Sequence, residues 1–140
     1  MSDDITRVPP TEALRLVSED GYTLVDVRSV PEFEAGHPAG AVNIPWAHPG
    51  AFGMAPNADF LKVVGAHFAK DAKLVVACRS GGRSLQAAKA LTAAGFSAVV
   101  DQKAGFSGGS GEIGWEAAGL PVDYDAAPER QYAALSKAAE

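Results

Sequence analysis

The feature that most restricts the fold is a short apolar run near the middle of the chain, Leu-Val-Val-Ala at residues 74–77. The run does not alternate between apolar and polar residues, which is typical of a central parallel strand buried on both faces. Cys78 and a turn with two glycines follow, and a helical pattern begins near Ser84. The sequence therefore predicts a strand–turn–helix unit of an α/β protein, with Cys78 in the turn.

Strands alternate with helices along the rest of the chain. Further strands are predicted at residues 5–8, 22–27, 41–44 and 97–100, and helices at residues 9–20, 31–35, 57–68 and 84–94. Asn57 is the expected N-cap of the third helix, and residues 45–56, with three prolines, are expected to form a loop. Residues 128–140 fit either a docked helix or a frayed tail. A length of 140 residues predicts one domain. The alternation of strands and helices predicts a parallel sheet with helices on both faces.

Composition excludes several classes of function. The net charge is −5 and no basic stripe is present, so no nucleic-acid partner is expected. A single cysteine excludes an internal disulfide and a multi-cysteine zinc site, and the three histidines lack metal-ligand spacing, so no metal is expected. No apolar run approaches the 18 residues of a membrane span, and residues 1–4 are acidic and lack a secretory signal. We therefore expect a cytoplasmic protein without a membrane partner.

The turn at Cys78 combines a thiol with anion-binding features. Ligands of open α/β sheets bind outside the carboxyl ends of strands, which is where Cys78 is predicted to lie. Gly81 and Gly82 permit left-handed backbone angles, and amides in such a turn, with the helix N-terminus behind them, attract anions. Arg79 and Arg83 add donors suited to oxyanions. A free cysteine is often only a small core residue, but this combination favours a nucleophile beside an anion site.

Four segments of the chain, in order, resemble the rhodanese family of sulfurtransferases. They are Leu-Val-Asp-Val-Arg at residues 24–28 with Glu32-Phe33 after it, residues 36–45, residues 77–84 and residues 115–122. The resemblance implies a single rhodanese domain over residues 5–122, with a five-stranded parallel sheet flanked by helices, and a C-terminal extension over residues 123–140. It agrees with the α/β pattern derived above.

The resemblance implies a thiosulfate sulfurtransferase, a rhodanese, that works through a persulfide on Cys78. Sulfur would pass from thiosulfate or a similar small anionic donor to cyanide or a thiol acceptor, with no cofactor. The implied substrate-binding residues complete the loop: Arg79, Ser80, Gly81, Gly82, Arg83 and Ser84. The implied supporting residues are Asp26, Arg28, Glu32 and His37.

Two alternatives stay open at the level of sequence. One is a sulfur-relay module, a persulfide carrier that exchanges sulfur with a protein donor or acceptor. The other is a cysteine-dependent phosphatase or arsenate reductase on the same fold. Cysteine-dependent phosphatases place five residues between cysteine and arginine, and this chain has four between Cys78 and Arg83, which favours a sulfurtransferase.

The chain departs from the family pattern before Trp115. The family often has a Gly-Gly pair about four residues before this tryptophan, whereas Gly105 lies ten residues before it. Residues 107–113 therefore look like an insertion. In the family this loop lies near the active-site mouth, so the insertion leaves the identity of the acceptor open.

Overall fold

The computed structural model describes residues 5–109 and 111–140, and the acidic residues 1–4 noted above lie outside these ranges. The described strands, in chain order, are β1 (Thr6–Val8), β2 (Thr23–Asp26), β3 (His37–Pro38), β4 (Val42–Asn43), β5 (Ala47–Gly50), β6 (Gly53–Pro56), β7 (Lys73–Ala77), β8 (Ala98–Gln102) and β9 (Val122–Asp123). The described helices are α1 (Pro10–Glu19), α2 (Val30–Glu34), α3 (Phe60–His67), α4 (Gly82–Ala93) and α5 (Tyr132–Ala138).

Five of the strands form one parallel sheet in the order β1-β8-β7-β2-β4, which confirms the predicted sheet. The apolar run of β7 lies at its centre, with Val76 paired to Val25 of β2 on one side and to Asp101 of β8 on the other. Because the strands are parallel, their carboxyl ends meet at one edge of the sheet. The turn that holds Cys78 lies at this edge.

Helices cover both faces of the sheet, as the alternating pattern predicts. On one face α1 and α2 bury Ala13 and Phe33 in a cluster with Val75. On the other face α3, α4 and α5 pack around Val76, with Leu91 of α4 among the buried residues. Successive side chains of β7 point to opposite faces of the sheet. Because helices cover both faces, every inner position of the strand is buried and apolar.

Residues 45–56, expected to be a loop, contain an antiparallel hairpin instead. Strands β5 and β6 pair Ala47 with Pro56 and Gly50 with Gly53, and Gly53 has a left-handed φ of 102°. The hairpin projects from the sheet edge with both Phe52 and Met54 exposed. Neither of its faces is fully buried, so its sequence lacks the apolar alternation that marks a strand.

Two helices begin at least two residues away from the predicted positions. Helix α3 begins at Phe60 with Asp59 as its N-cap, although the Asn57 side chain accepts from the Asp59 amide at 3.0 Å, a bond of the type expected of a cap. The Asn57 amide also donates to Pro45 O at 2.8 Å and to the Tyr132 hydroxyl at 3.0 Å. Helix α4 begins at Gly82, two residues earlier than predicted. The polar side chain of Asn57 therefore ties the hairpin to the C-terminal segment.

The C-terminal segment is a docked helix rather than a frayed tail. Leu135 of α5 is buried in the core cluster beside α3. His67 Nε2 donates to Leu135 O at 2.8 Å, which holds α5 against the end of α3. Among the described residues, no helix combines the length and the apolar character needed to cross a membrane.

Candidate active site

The Cys78 side chain lies inside the turn between β7 and α4. It is only 2% exposed, and the Gly81 amide donates to Cys78 Sγ over an N–S distance of 3.1 Å. The thiol donates to Ser84 Oγ at 3.5 Å, and the Phe106 amide donates to Cys78 O at 2.8 Å. The turn therefore surrounds the sulfur with hydrogen-bonding groups of its own backbone and of the first turn of α4.

Gly81 is the glycine that the turn requires. Its φ is 105°, and a Cβ built there would lie 2.3 Å from Lys103 O, so a side chain would meet both strain and a clash. Gly82 is already helical, and the prediction of a left-handed angle is wrong for it. Gly81 is the N-cap residue of α4 and has no side chain that could bond the amides of the first turn of the helix. Those amides are therefore left without a side-chain cap at the end of the helix that adjoins the loop.

The two arginines of the loop have different surroundings. Arg79 is exposed. Arg83 donates to Glu32 Oε1 at 2.7 Å and to Oε2 at 3.1 Å, in a bidentate ion pair. Ser29 holds the same carboxylate through its amide and its hydroxyl, in a capping box at the start of α2. The charge of Arg83 is therefore balanced within the protein, and Arg79 is the loop arginine exposed to solvent.

Glu32 gives a prediction about acid stability. Burial raises its pKa, but hydrogen bonds from Arg83 and Ser29 outweigh burial and lower it to about 2, from an ordinary 4.5. A depressed pKa in the folded state means that stabilisation is complete above pH 4.5 and is lost as the pH falls toward 2. We expect the free energy of unfolding of the native protein, measured by urea denaturation, to fall more steeply across this range than that of Glu32→Gln.

The matched control is Glu19→Gln, which removes an exposed carboxylate of α1. This variant should lose stability in acid as steeply as the native protein. Equal slopes for Glu32→Gln and the native protein would contradict the assignment of the stabilising charge to Glu32.

Asp26 and Arg28 form a buried ion pair at the end of β2. The side chains are 1% and 5% exposed, and Arg28 Nη2 donates to Asp26 Oδ2 at 2.7 Å and to Gly36 O at 2.7 Å. The guanidinium also lies 4.4 Å from the ring centroid of Phe106, the residue whose amide bonds Cys78 O. The pair supports the loop indirectly, through packing on Phe106.

His37 stands apart from the loop in the hydrogen-bond network. Its Nδ1 donates to Phe33 O at 2.7 Å, and its ring stacks on the Phe33 ring at a centroid distance of 3.7 Å. Its Nε2 has no hydrogen-bond partner among the described residues. Of the four supporting residues predicted, Glu32 is the one joined to the loop by hydrogen bonds.

Ser107 and Gly109, in the segment expected to be an insertion, contact the loop. The Ser107 amide donates to Arg79 O at 2.9 Å, and a Cβ built on Gly109 would lie 2.9 Å from the Ser80 Cβ. Gly109 also forms an antiparallel bridge with Glu112. The absence of a side chain at Gly109 thus allows this segment to pack directly on Ser80.

Sequence reasoning missed a third ion pair beside the loop, between Arg7 and Asp101. Arg7 Nε donates to Asp101 Oδ2 at 2.7 Å, and Arg7 Nη2 donates to Gly81 O at 3.3 Å. Arg7 and Asp101 are 94 positions apart in sequence and meet because β1 pairs with β8. No local pattern could reveal this contact.

The loop can therefore hold a sulfur nucleophile among hydrogen-bond donors, beside an exposed arginine. Throughout residues 5–109 and 111–140, no group of three or more His, Cys, Asp or Glu side chains is arranged to hold a metal ion. The arrangement supports covalent chemistry at Cys78 with an anionic reactant.

Comparison with known proteins gives consistent results. Residues 9–112 match the profile of a family described as "Rhodanese-like domain". The chain is 39% identical over 120 residues to "Thiosulfate sulfurtransferase 16, chloroplastic" of Arabidopsis thaliana, covering 84% of this chain and 95% of that protein. It is 38% identical over 120 residues to "Senescence-associated protein DIN1" of Raphanus sativus, covering 84% of this chain and 62% of that protein.

A solved structure shows the same fold. The crystal structure of Rv0390 from M. tuberculosis superposes with a TM-score of 0.72 at 29% sequence identity, covering 86% of this chain and 98% of that chain. The similarity in sequence and the similarity in structure thus extend over most of the residues that build the sheet and the loop.

Proposed function

This chain belongs to the rhodanese-like sulfurtransferase family, and from that premise we propose that it transfers sulfane sulfur through a persulfide on Cys78. The observation that carries the proposal is the Gly81 amide, which donates to Cys78 Sγ from a loop containing an exposed arginine. Donors aimed at a sulfur atom stabilise the negative charge that it carries as a thiolate. Thiosulfate is the proposed donor, and cyanide or a thiol is the proposed acceptor.

The proposed reaction has two steps. In the first, the Cys78 thiolate attacks the outer sulfur of thiosulfate; the S–S bond of thiosulfate breaks, and sulfite leaves with its electron pair. In the second, the acceptor attacks the terminal sulfur of the persulfide, the new S–S bond breaks, and the Cys78 thiolate returns. Charge is conserved in each step, and covalent catalysis divides one transfer into two easier ones.

The loop residues have separate proposed roles. Arg79 attracts the anionic donor, since it is exposed beside the thiol. The amides of the loop and the first turn of α4, from Arg79 to Ser84, stabilise the terminal sulfur of the persulfide. Arg83 fixes the shape of the loop through its bidentate pair with Glu32.

A steady-state assay tests the proposal. With thiosulfate and cyanide, the protein should form thiocyanate, and with a small aryl phosphate it should release no phenol. The second result is expected because four residues between Cys78 and Arg83 make a tighter loop than a phosphatase uses. Hydrolysis of the aryl phosphate without thiocyanate formation would overturn the proposal in favour of a phosphatase.

One observation favours a second candidate, a sulfur-relay module that exchanges sulfur with a protein. The hairpin of β5 and β6 leaves the carboxyl edge of the sheet and exposes Phe52 and Met54. Contiguous exposed apolar patches mark protein-docking surfaces, and the relay candidate requires these two side chains to belong to such a patch. The relay function is favoured if thiosulfate forms the persulfide on Cys78 slowly while a persulfidated protein transfers sulfur to Cys78 rapidly.

A further inference from the structure

Asp101 is a buried carboxylate close to the loop. It lies on β8 opposite Val76 of β7, which is two residues before Cys78, and its side chain is fully buried. One oxygen accepts from Arg7 Nε at 2.7 Å, and the other, Oδ1, has no hydrogen-bond partner among the described residues. Buried ionised groups are rare and require a compensating interaction, so this pair invites a functional explanation.

Arg7 links this carboxylate to the loop. Its guanidinium is a planar fork: Nε engages Asp101 while Nη2 donates to Gly81 O at 3.3 Å. Gly81 is the residue whose amide donates to Cys78 Sγ. The ion pair therefore holds the Gly81–Gly82 peptide group, which follows directly on the Ser80–Gly81 peptide group whose N–H faces the sulfur.

The Gly81 carbonyl has more donors than it can serve. A carbonyl oxygen has two lone pairs. Gly81 O lies within hydrogen-bond reach of three donors, the Leu85 amide at 3.2 Å, Arg7 Nη2 at 3.3 Å and the Ser84 hydroxyl at 3.3 Å. With Leu85 and Arg7 in place, the Ser84 hydroxyl is free to turn elsewhere.

The sulfur of Cys78 lies 3.5 Å from Ser84 Oγ. In the thiol form Cys78 donates to this oxygen, and once the thiol loses its proton the hydroxyl can turn and donate to the thiolate. Burial raises the pKa of Asp101, and the Ser84 hydroxyl and Arg7 oppose that effect, although no hydrogen bond joins Ser84 to Oδ1 of the carboxylate in this structure. Arg7 bonds the Gly81 carbonyl, which is the observed acceptor that competes with Cys78 for the Ser84 hydroxyl.

We propose that Arg7, anchored by Asp101, is a positioning residue that releases the Ser84 hydroxyl to donate to the Cys78 thiolate. This inference rests on the proposed role of Cys78 as a nucleophile. Arg7 itself touches neither the sulfur nor the reactants and acts through Gly81 and Ser84. Without the Arg7 fork, the Ser84 hydroxyl keeps donating its hydrogen bond to Gly81 O, and the Cys78 thiolate loses that donor.

The test is the rate at which iodoacetamide alkylates Cys78 at neutral pH in Arg7→Lys, Ser84→Ala and the double variant. Lysine keeps a cation beside Asp101 but lacks the fork that reaches Gly81 O at the same time. Each single variant should react about tenfold more slowly, as expected for the loss of one hydrogen bond to a charged group. The double variant should stay near tenfold, since both changes remove the same donor.

Arg15→Lys is the control, because Arg15 forms an exposed ion pair with Glu12 on α1. Cys78 of this variant should be alkylated at the native rate. A native rate for Arg7→Lys, or a roughly hundredfold loss in the double variant, would overturn the inference, since independent effects multiply. Alkylation needs no thiosulfate. A protein that fails to form thiocyanate but shows the expected alkylation pattern would disprove the proposed function and leave this inference standing.

Discussion

Replacing Cys78 by serine should abolish the formation of thiocyanate from thiosulfate and cyanide. Cys78 is the only cysteine of the chain, so no other thiol can take over as nucleophile. A serine hydroxyl is a far weaker nucleophile than a thiolate at neutral pH, and loss of a catalytic nucleophile costs on the order of a thousandfold or more in rate. The measurement is the initial rate of thiocyanate formation by Cys78→Ser beside that of the native protein.

The fold should survive this substitution. Serine is close to cysteine in size and can accept from the Gly81 amide and donate to Ser84, the two hydrogen bonds that the thiol makes. Circular dichroism and thermal melting of Cys78→Ser should therefore show a folded protein. Turnover by a folded Cys78→Ser at more than a few per cent of the native rate would rule out the persulfide route.

The second large effect is on stability, from Arg28→Ala. This change leaves the Asp26 carboxylate buried without its partner, removes the donor to Gly36 O and strips the cation from the face of Phe106. Breaking a buried ion pair by removing one partner costs about 3–5 kcal/mol. For a chain of this length that corresponds to a fall in Tm of roughly 10–15 °C, which differential scanning calorimetry would measure.

Arg15→Ala provides the comparison, because it removes an arginine from an ion pair of the same N–O distance, 2.7 Å, at the surface. The side chains of Arg15 and Glu12 are 43% and 38% exposed, so water replaces the lost partner. The change in Tm there should be small, because water and salt screen an exposed ion pair. Equal changes in Tm for Arg28→Ala and Arg15→Ala would contradict the expectation that breaking the buried Asp26–Arg28 pair costs more stability than breaking an exposed pair.

The sequence predicts the centre of this fold better than its periphery. The unit from β7 to α4 is readable because residues 74–77 are apolar without alternation and glycines follow, and both signals are local. The hairpin of β5 and β6 was missed because exposed strands lack an apolar period. Its prolines, at positions 49 and 56, are typical of a loop, but both strands of a two-stranded sheet are edge strands, where proline is found.

The candidate site likewise has a part that the sequence predicts and a part that it does not. The loop from Cys78 to Ser84 is contiguous, so its residues could be named from sequence together. The pairing of Glu32 with Arg83 and of Arg7 with Asp101 joins segments that are distant in the chain, 51 and 94 positions apart. Those contacts depend on strand order and helix placement, which a single sequence does not encode in any local pattern.

Intact mass spectrometry after treatment with thiosulfate tests the persulfide most directly. The native protein should gain the mass of one sulfur atom, and the added mass should disappear when cyanide is supplied. Cys78→Ser, treated in the same way, should gain nothing. A native protein whose mass does not change, or a gain of sulfur that Cys78→Ser shares, would contradict sulfur transfer through Cys78.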